Sequence, residues 1–371
     1  MLKEERCPWA LGGTAARQDG PITAWRDLPE EAWAGSETLL DNGRAARYSE
    51  GEQKAKTMRK PFTGKILVGP AGWSYADWEG IVYPRSKPRG FHEAAYLAQY
   101  FDTVEINTSF YNPLRAEVAE SWVEKVQHNA SFQFTAKLWK RFTHERSASL
   151  QDEKACKQGF EPLAAAGRLG ALLLQFPWSF KNTRENHEYM SGLFMQFMEY
   201  PLVVEVRHSS WNQPEIFDWL RAQGVGFCNI DQPVIGRSLA PSEHVTMPVG
   251  YVRLHGRNYE HWFTSKEHPE ERYNYLYSIE ELKPWAERVA NIAHTAEVVF
   301  VITNNHYQGK AIANALQLVS ILRGAPVPIP ENLREHYPQL AEIALPQTAP
   351  SEPKQSDLAF GTLPAEEKGA G

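Results

Sequence analysis

The chain is short of cysteine, of long apolar runs and of positive charge, and each shortage excludes a class of protein. Its three cysteines, Cys7, Cys156 and Cys228, lie far apart and form no CxxC pair. That spacing offers neither a disulfide framework nor a cysteine zinc site, and it suits a reducing compartment. No uninterrupted apolar segment approaches the ~20 residues of a membrane span. The opening Met1-Leu2-Lys3-Glu4-Glu5-Arg6 lacks the apolar core of a signal peptide. The expectation is a cytoplasmic protein with no membrane partner. Lys and Arg number 39 against 45 Asp and Glu, a net charge of -6, so no general nucleic-acid-binding surface is expected. Several chemical signatures are missing as well: no GxGxxG after the first apolar strand, no P-loop, no GxSxG and no HExxH.

What is present is a sizeable core, with 42% apolar and 12% aromatic residues, and a repeating pattern. Short β-branched runs near 66–69, 103–107, 132–137, 169–176, 202–206, 225–230, 250–255 and 298–303 read as strands. Helical patterns at 91–100, 117–128, 152–166, 183–199, 214–223, 279–294 and 310–322 separate most of them. The stretch from Pro233 to Pro248 has no clear helix. Strands separated by helices imply βαβ units and a parallel sheet. Eight units in this length predict an α/β chain folded as a (β/α)8 TIM barrel. The predicted organisation is a polar, partly disordered N-terminal extension over 1–62 and the barrel over 63–325. A segment with a weak helix follows over 326–345, then a disordered tail over 346–371 rich in Pro, Ala, Glu and Ser. Trp9, Trp25 and Trp33 of the extension are candidates to dock on the barrel.

A TIM barrel builds its site at the C-terminal ends of its strands. Polar residues accumulate there: Glu105 and Asn107 on strand two, Lys137 on three, Glu205, Arg207 and His208 on five. Asp231 follows on six, Arg253 and His255 on seven, Asn304 and Asn305 after eight. Glu105 and Glu205, sharing a pocket, would raise one another's proton affinity and serve as an acid–base couple. A second reading, compatible with the first, is that each forms a buried ion pair with Arg253, Arg207 or Lys137. Lys137 and Arg253 are candidate anion clamps, and Arg207, alternating with Glu205, could share the pocket or sit just above its rim. His255 is a candidate general acid or base, and His208 a candidate ligand contact beside it. Trp73 and Trp211, with Tyr75, Trp78 and Trp262, lie in loops where they could wall a sugar or base, and Asn304-Asn305 could bond a hydroxylated ligand. Glu105, Glu205, Asp231 and His255 are of the right type for a divalent metal, but no spacing signature supports a metal set, so no cofactor is assigned.

Several of these stretches form a recognisable series. It runs through Val68-Gly69-Pro70-Ala71-Gly72-Trp73-Ser74-Tyr75, Phe101-Asp102-Thr103-Val104-Glu105-Ile106-Asn107 and Phe110-Tyr111. It continues through Ala136-Lys137, Thr143-His144, Leu174-Gln175-Phe176-Pro177 and Glu205-Val206-Arg207-His208-Ser209-Ser210-Trp211. Val252-Arg253-Leu254-His255-Gly256 and Asn304-Asn305 complete it. Together they resemble the DUF72 (YecE-like) family over roughly 66–323. The resemblance implies a TIM barrel and no established activity. It marks Glu105, Lys137, Glu205, Arg253, His255 and Asn304 as the family's polar signature. Pro70, where the family usually has Thr, and Ile302-Thr303, where it commonly has an aromatic residue, depart from the pattern.

Three functional readings follow. The first is an enzyme binding a small hydroxylated anionic ligand, a sugar or nucleotide derivative, with Glu105, Glu205 and His255 in hydrolase- or isomerase-type proton chemistry. The second is a metal-dependent phosphoester or sugar enzyme, and the third a barrel that binds a small molecule without turnover.

Overall fold

The computed structural model describes residues 64–262 and 269–346. The extension over 1–62 and the tail beyond 346 lie outside the described residues. Eight parallel strands run β1 Lys65–Pro70, β2 Thr103–Ile106, β3 Gln133–Lys137, β4 Leu169–Gln175, β5 Leu202–Glu205, β6 Gly226–Asp231, β7 Val249–Leu254 and β8 Val298–Thr303. Their spatial order is β1-β8-β7-β6-β5-β4-β3-β2. The β1/β2 seam is closed by a bridge between Ala71 and Glu105, where the Gly72 amide donates to the Glu105 carbonyl at 2.8 Å. Helices alternate with the strands, and the sheet is a (β/α)8 TIM barrel.

The strands are buried on nearly every residue because both faces are covered, one by the barrel interior and one by helices. Two glycines let this closure happen. A Cβ on Gly69 would stand 1.8 Å from the Thr103 carbonyl oxygen, so the approach of β1 to β2 needs a residue without one. A Cβ on Gly170 would lie 2.2 Å from the Phe300 ring, which fills that space instead.

Helix boundaries follow local chemistry. Helix Leu150–Ala165 begins two residues before the predicted start, because Ser149 and Asp152 form a reciprocal capping box. Helix Arg184–Gln196 is capped by Thr183, and helix Pro214–Gln223 ends at Gly224 in the left-handed conformation. The first helix is only Glu93–Leu97, shorter than its pattern suggested, with the His92 ring as its cap. The connection from β6 to β7 has no helix. Side chains hold it instead: Asn229 donates to the His244 carbonyl and accepts from Ser242 Oγ and the His244 amide, and Gln232 donates to the Arg207 and Leu239 carbonyls. Among the described residues no helix is long and apolar enough to cross a membrane.

Candidate active site

Arg253 stands at the centre of the site. Side chains at 251, 253 and 255 follow the alternation of β7, and all three are buried. The Arg253 guanidinium is fully buried between two carboxylates brought from opposite parts of the chain. Nη2 donates to Glu105 Oε1 at 2.7 Å, and Nη1 to Glu205 Oε2 at 2.5 Å. The second oxygen of Glu105 accepts from the Tyr251 hydroxyl at 3.0 Å, and that hydroxyl accepts in turn from Thr135 Oγ1 at 2.7 Å. The second oxygen of Glu205 takes Arg207 Nε at 3.0 Å and His255 Nε2 at 3.2 Å.

These contacts are the buried ion pairs that the second sequence reading of the carboxylates expects. Glu105 and Glu205 do not share a proton. They share a guanidinium, and every oxygen has a donor. Burial opposes the charge of Glu205, but Arg253, His255 and Arg207 outweigh it and hold the carboxyl well below the ordinary 4.5. It is therefore a poor proton acceptor and is ionised when it would need to be an acid. The same burial works unopposed enough on His255 to push it down to about 3, despite Glu205 beside it. Neutral His255 carries its proton on Nε2, toward Glu205, and accepts from Asn304 Nδ2 through Nδ1 at 2.9 Å. The longer 3.5 Å approach of Arg207 Nη2 to Nε2 is then two donors passing, with no bond between them.

Above this network lies a cavity of about 640 Å³. Its walls are aromatic, from Trp73, Tyr75, Tyr111, Trp122 and Tyr273, with amide and hydroxyl groups from Asn107, Asn304, Ser74 and Thr108. Trp73 stands edge-on to Trp122 at 4.9 Å, and Tyr75 stacks on His306 at 4.4 Å. Asn107 Nδ2 donates to the Tyr75 hydroxyl at 3.3 Å, while its Oδ1 is buried with no partner among the described residues. Lys137, at the end of β3, also lines the cavity. Its Nζ rests 4.1 Å from the centre of the Phe110 ring. Desolvation, helped by Arg253, pushes it down from 10.5 to about 7 against the pull of Glu105 and Glu205.

The structure thus gathers Trp73, Asn107, Lys137 and Asn304 on one wall system, and Glu105, Glu205, Arg207, Arg253 and His255 in the network beneath it. Three predicted site residues are placed elsewhere. Trp211 is buried against Phe180, with its Nε1 donating to the Phe180 carbonyl at 2.8 Å. His208 caps a short turn through Ser210. Asn305 donates to the Tyr275 carbonyl and to Asn314 Oδ1, and so ties the turn after β8 to the loop before helix Ile279–Ala293 and to helix Lys310–Arg323. The four metal-type residues do not converge either: Asp231 is taken by Arg257, at 2.9 Å. Among the described residues no group of three His, Cys, Asp or Glu side chains stands ready to hold a metal ion. Tyr251 and Thr135 were missed by the sequence reading, although each lies two residues before a predicted site residue on the same strand face. Trp122 comes from a helix and His306 from the loop after β8; no local signal marks either for the cavity.

Comparison with known proteins gives one consistent answer. The model of the family described as "Protein of unknown function DUF72" matches residues 67–336. The UPF0759 protein YunF of Bacillus subtilis (strain 168) is 30% identical over 276 residues, 69% of this chain and 94% of the relative. A DUF72 family protein from Thermotoga maritima MSB8 has 34% identity and a TM-score of 0.61, covering 70% of this chain and 99% of that one. One from Enterococcus faecalis V583 has 26% identity and a TM-score of 0.62, covering 70% and 95%.

Proposed function

The chain belongs to the DUF72 family, proteins of unknown function, and from that premise we propose that its barrel is an enzyme binding a small hydroxylated ligand at the C-terminal face, with Lys137 as the working group. One observation carries this reading. The cavity combines aromatic walls and amide groups with an amine that has no ion pair among the described residues, above carboxylates and guanidiniums that neutralise one another. Aromatic faces suit the C–H faces of a sugar, and amides suit its hydroxyls.

The ionic network is the floor of this site. Arg253 is spent on two carboxylates and has no exposed surface, so Lys137 is the amine that lines the cavity directly above the network and can meet an anionic substituent or move a proton. Burial that lowers the Lys137 amine to about 7 brings its proton transfer into the neutral range. The buried free thiols Cys156 and Cys228 favour a cytoplasmic setting, which cell fractionation would check.

The test is ligand capture. Small molecules released from gently purified protein are identified by mass spectrometry, and a panel of aldoses, ketoses and their phosphates is screened by thermal shift. A hydroxylated compound should raise Tm, and Asn107→Ala should weaken its binding. If no such compound binds, or if it binds equally to the Asn107→Ala variant, the reading is wrong. Binding without any chemical change in the ligand would instead favour the non-catalytic barrel.

A further inference from the structure

The cavity contains one amine whose chemistry the rest of the molecule leaves unused. Lys137 is 9% exposed and lines the cavity wall. Among the described residues no carboxylate lies within ion-pair distance of its Nζ. The carboxylates whose charge it feels, Glu105 and Glu205, are occupied by Arg253, Tyr251, Arg207 and His255. Its neighbour is instead the Phe110 ring, a weak partner for a cation. A lysine kept to hold an anion is normally left solvated or paired, so that its charge persists. This one is desolvated, unpaired and open to the cavity on one side.

We propose that Lys137 is the nucleophile of a Schiff-base site for open-chain hydroxyaldehydes or hydroxyketones. The inference rests on the ligand-cavity reading and adds a covalent step to it. The Nζ lone pair attacks the carbonyl carbon, the C=O π pair moves to oxygen, and that oxygen takes a proton. The carbinolamine loses water as nitrogen gives up its remaining proton and the C=N bond forms. One water leaves, and nothing is oxidised or reduced. Burial favours the neutral amine that the attack requires. Asn107 lines the same cavity, and its side-chain oxygen is buried beside it with no partner among the described residues, a polar group left over to receive a hydroxyl of the carbinolamine or of the ligand once the amide turns toward it.

The test uses the full chain, glycolaldehyde and sodium cyanoborohydride at neutral pH. Cyanoborohydride delivers hydride to the imine carbon, and the resulting secondary amine is located by peptide mapping. Lys137 should label ~10-fold or more faster than the exposed Lys154, and the preference should vanish in urea. Asn107→Ala should slow labelling at Lys137 severalfold and leave Lys154 unchanged. Labelling of the wild-type Lys137 no faster than Lys154 overturns the proposal. If glycolaldehyde raises Tm without that preference, the imine is refuted and the cavity reading survives. If neither glycolaldehyde nor the wider panel binds, both fall.

Discussion

Replacing Lys137 with Met removes an ammonium that the barrel holds away from water, and the structure sets the size and sign of the effect. The group falls from 10.5 to about 7 in the folded chain, chiefly by desolvation and secondarily by Arg253. Between those two pH values the unfolded chain holds the proton and the folded chain does not. Stability therefore rises with pH across the window, by at most ~1.36 kcal/mol per pH unit, or about 5 kcal/mol over the whole of it. Below about pH 7 both states are protonated and the full cost of burying the charge is present. Met is of similar length and keeps the packing against Phe110, so the variant should be the more stable protein at neutral pH. Its advantage should shrink by about 2–3 kcal/mol between roughly pH 7.5 and 9.5. Urea denaturation followed by tryptophan fluorescence, run on both proteins at the two pH values, measures the difference directly. Groups such as Tyr251 and Cys228 titrate in both proteins and cancel. If the two stability profiles run parallel across the window, Lys137 is an ordinary solvated lysine and the reasoning about its environment fails.

Two further predictions concern the network beneath it. Arg253→Met leaves Glu105 and Glu205 buried without their shared cation and should cost about 3–5 kcal/mol in denaturation, with Glu105→Gln and Glu205→Gln added together restoring most of it; a single variant as stable as the wild type would show that the guanidinium is not what makes those carboxylates tolerable. Glu205 is held well below 4.5, so its stabilising contribution is complete above about pH 4.5 and is lost as pH falls below it. The Tm deficit of Glu205→Gln should accordingly narrow on acidification, and a deficit that is the same at neutral and acid pH would contradict the assignment.

The barrel was legible because its cause is local. Runs such as Val298–Thr303 have a strand's composition, Ser278 and Glu281 sit at capping spacing, and the stretch from Pro233 to Pro248 proved to be a connection without a helix. The short Glu93–Leu97 helix was overextended because its pattern runs from Phe91 to Tyr100, whereas the residues after Leu97 form a turn whose Tyr100 packs against the core. The candidate site was legible only as a set of residue types at strand ends. Asn304 and Asn305 are neighbours in sequence, yet one faces the cavity and His255 while the other turns to Asn314. Once a chain leaves a strand, the alternation that assigns faces no longer holds. Trp73 and Trp211 diverge for the same reason.

By itself the sequence determined the strand and helix pattern, the eightfold count and the end of the barrel where polar groups collect, since propensity and periodicity act over a few residues. Tertiary structure decided what those groups do. Glu105 and Glu205 reach Arg253 across separations of 148 and 48 residues, and only that meeting turns two candidate acids into the counterions of one guanidinium. The same meeting leaves Lys137 without a carboxylate among the described residues. Whether a charged side chain is a partner or a reagent depends on which other charges arrive beside it and how much water remains, and neither is a property of the residues next to it in the chain.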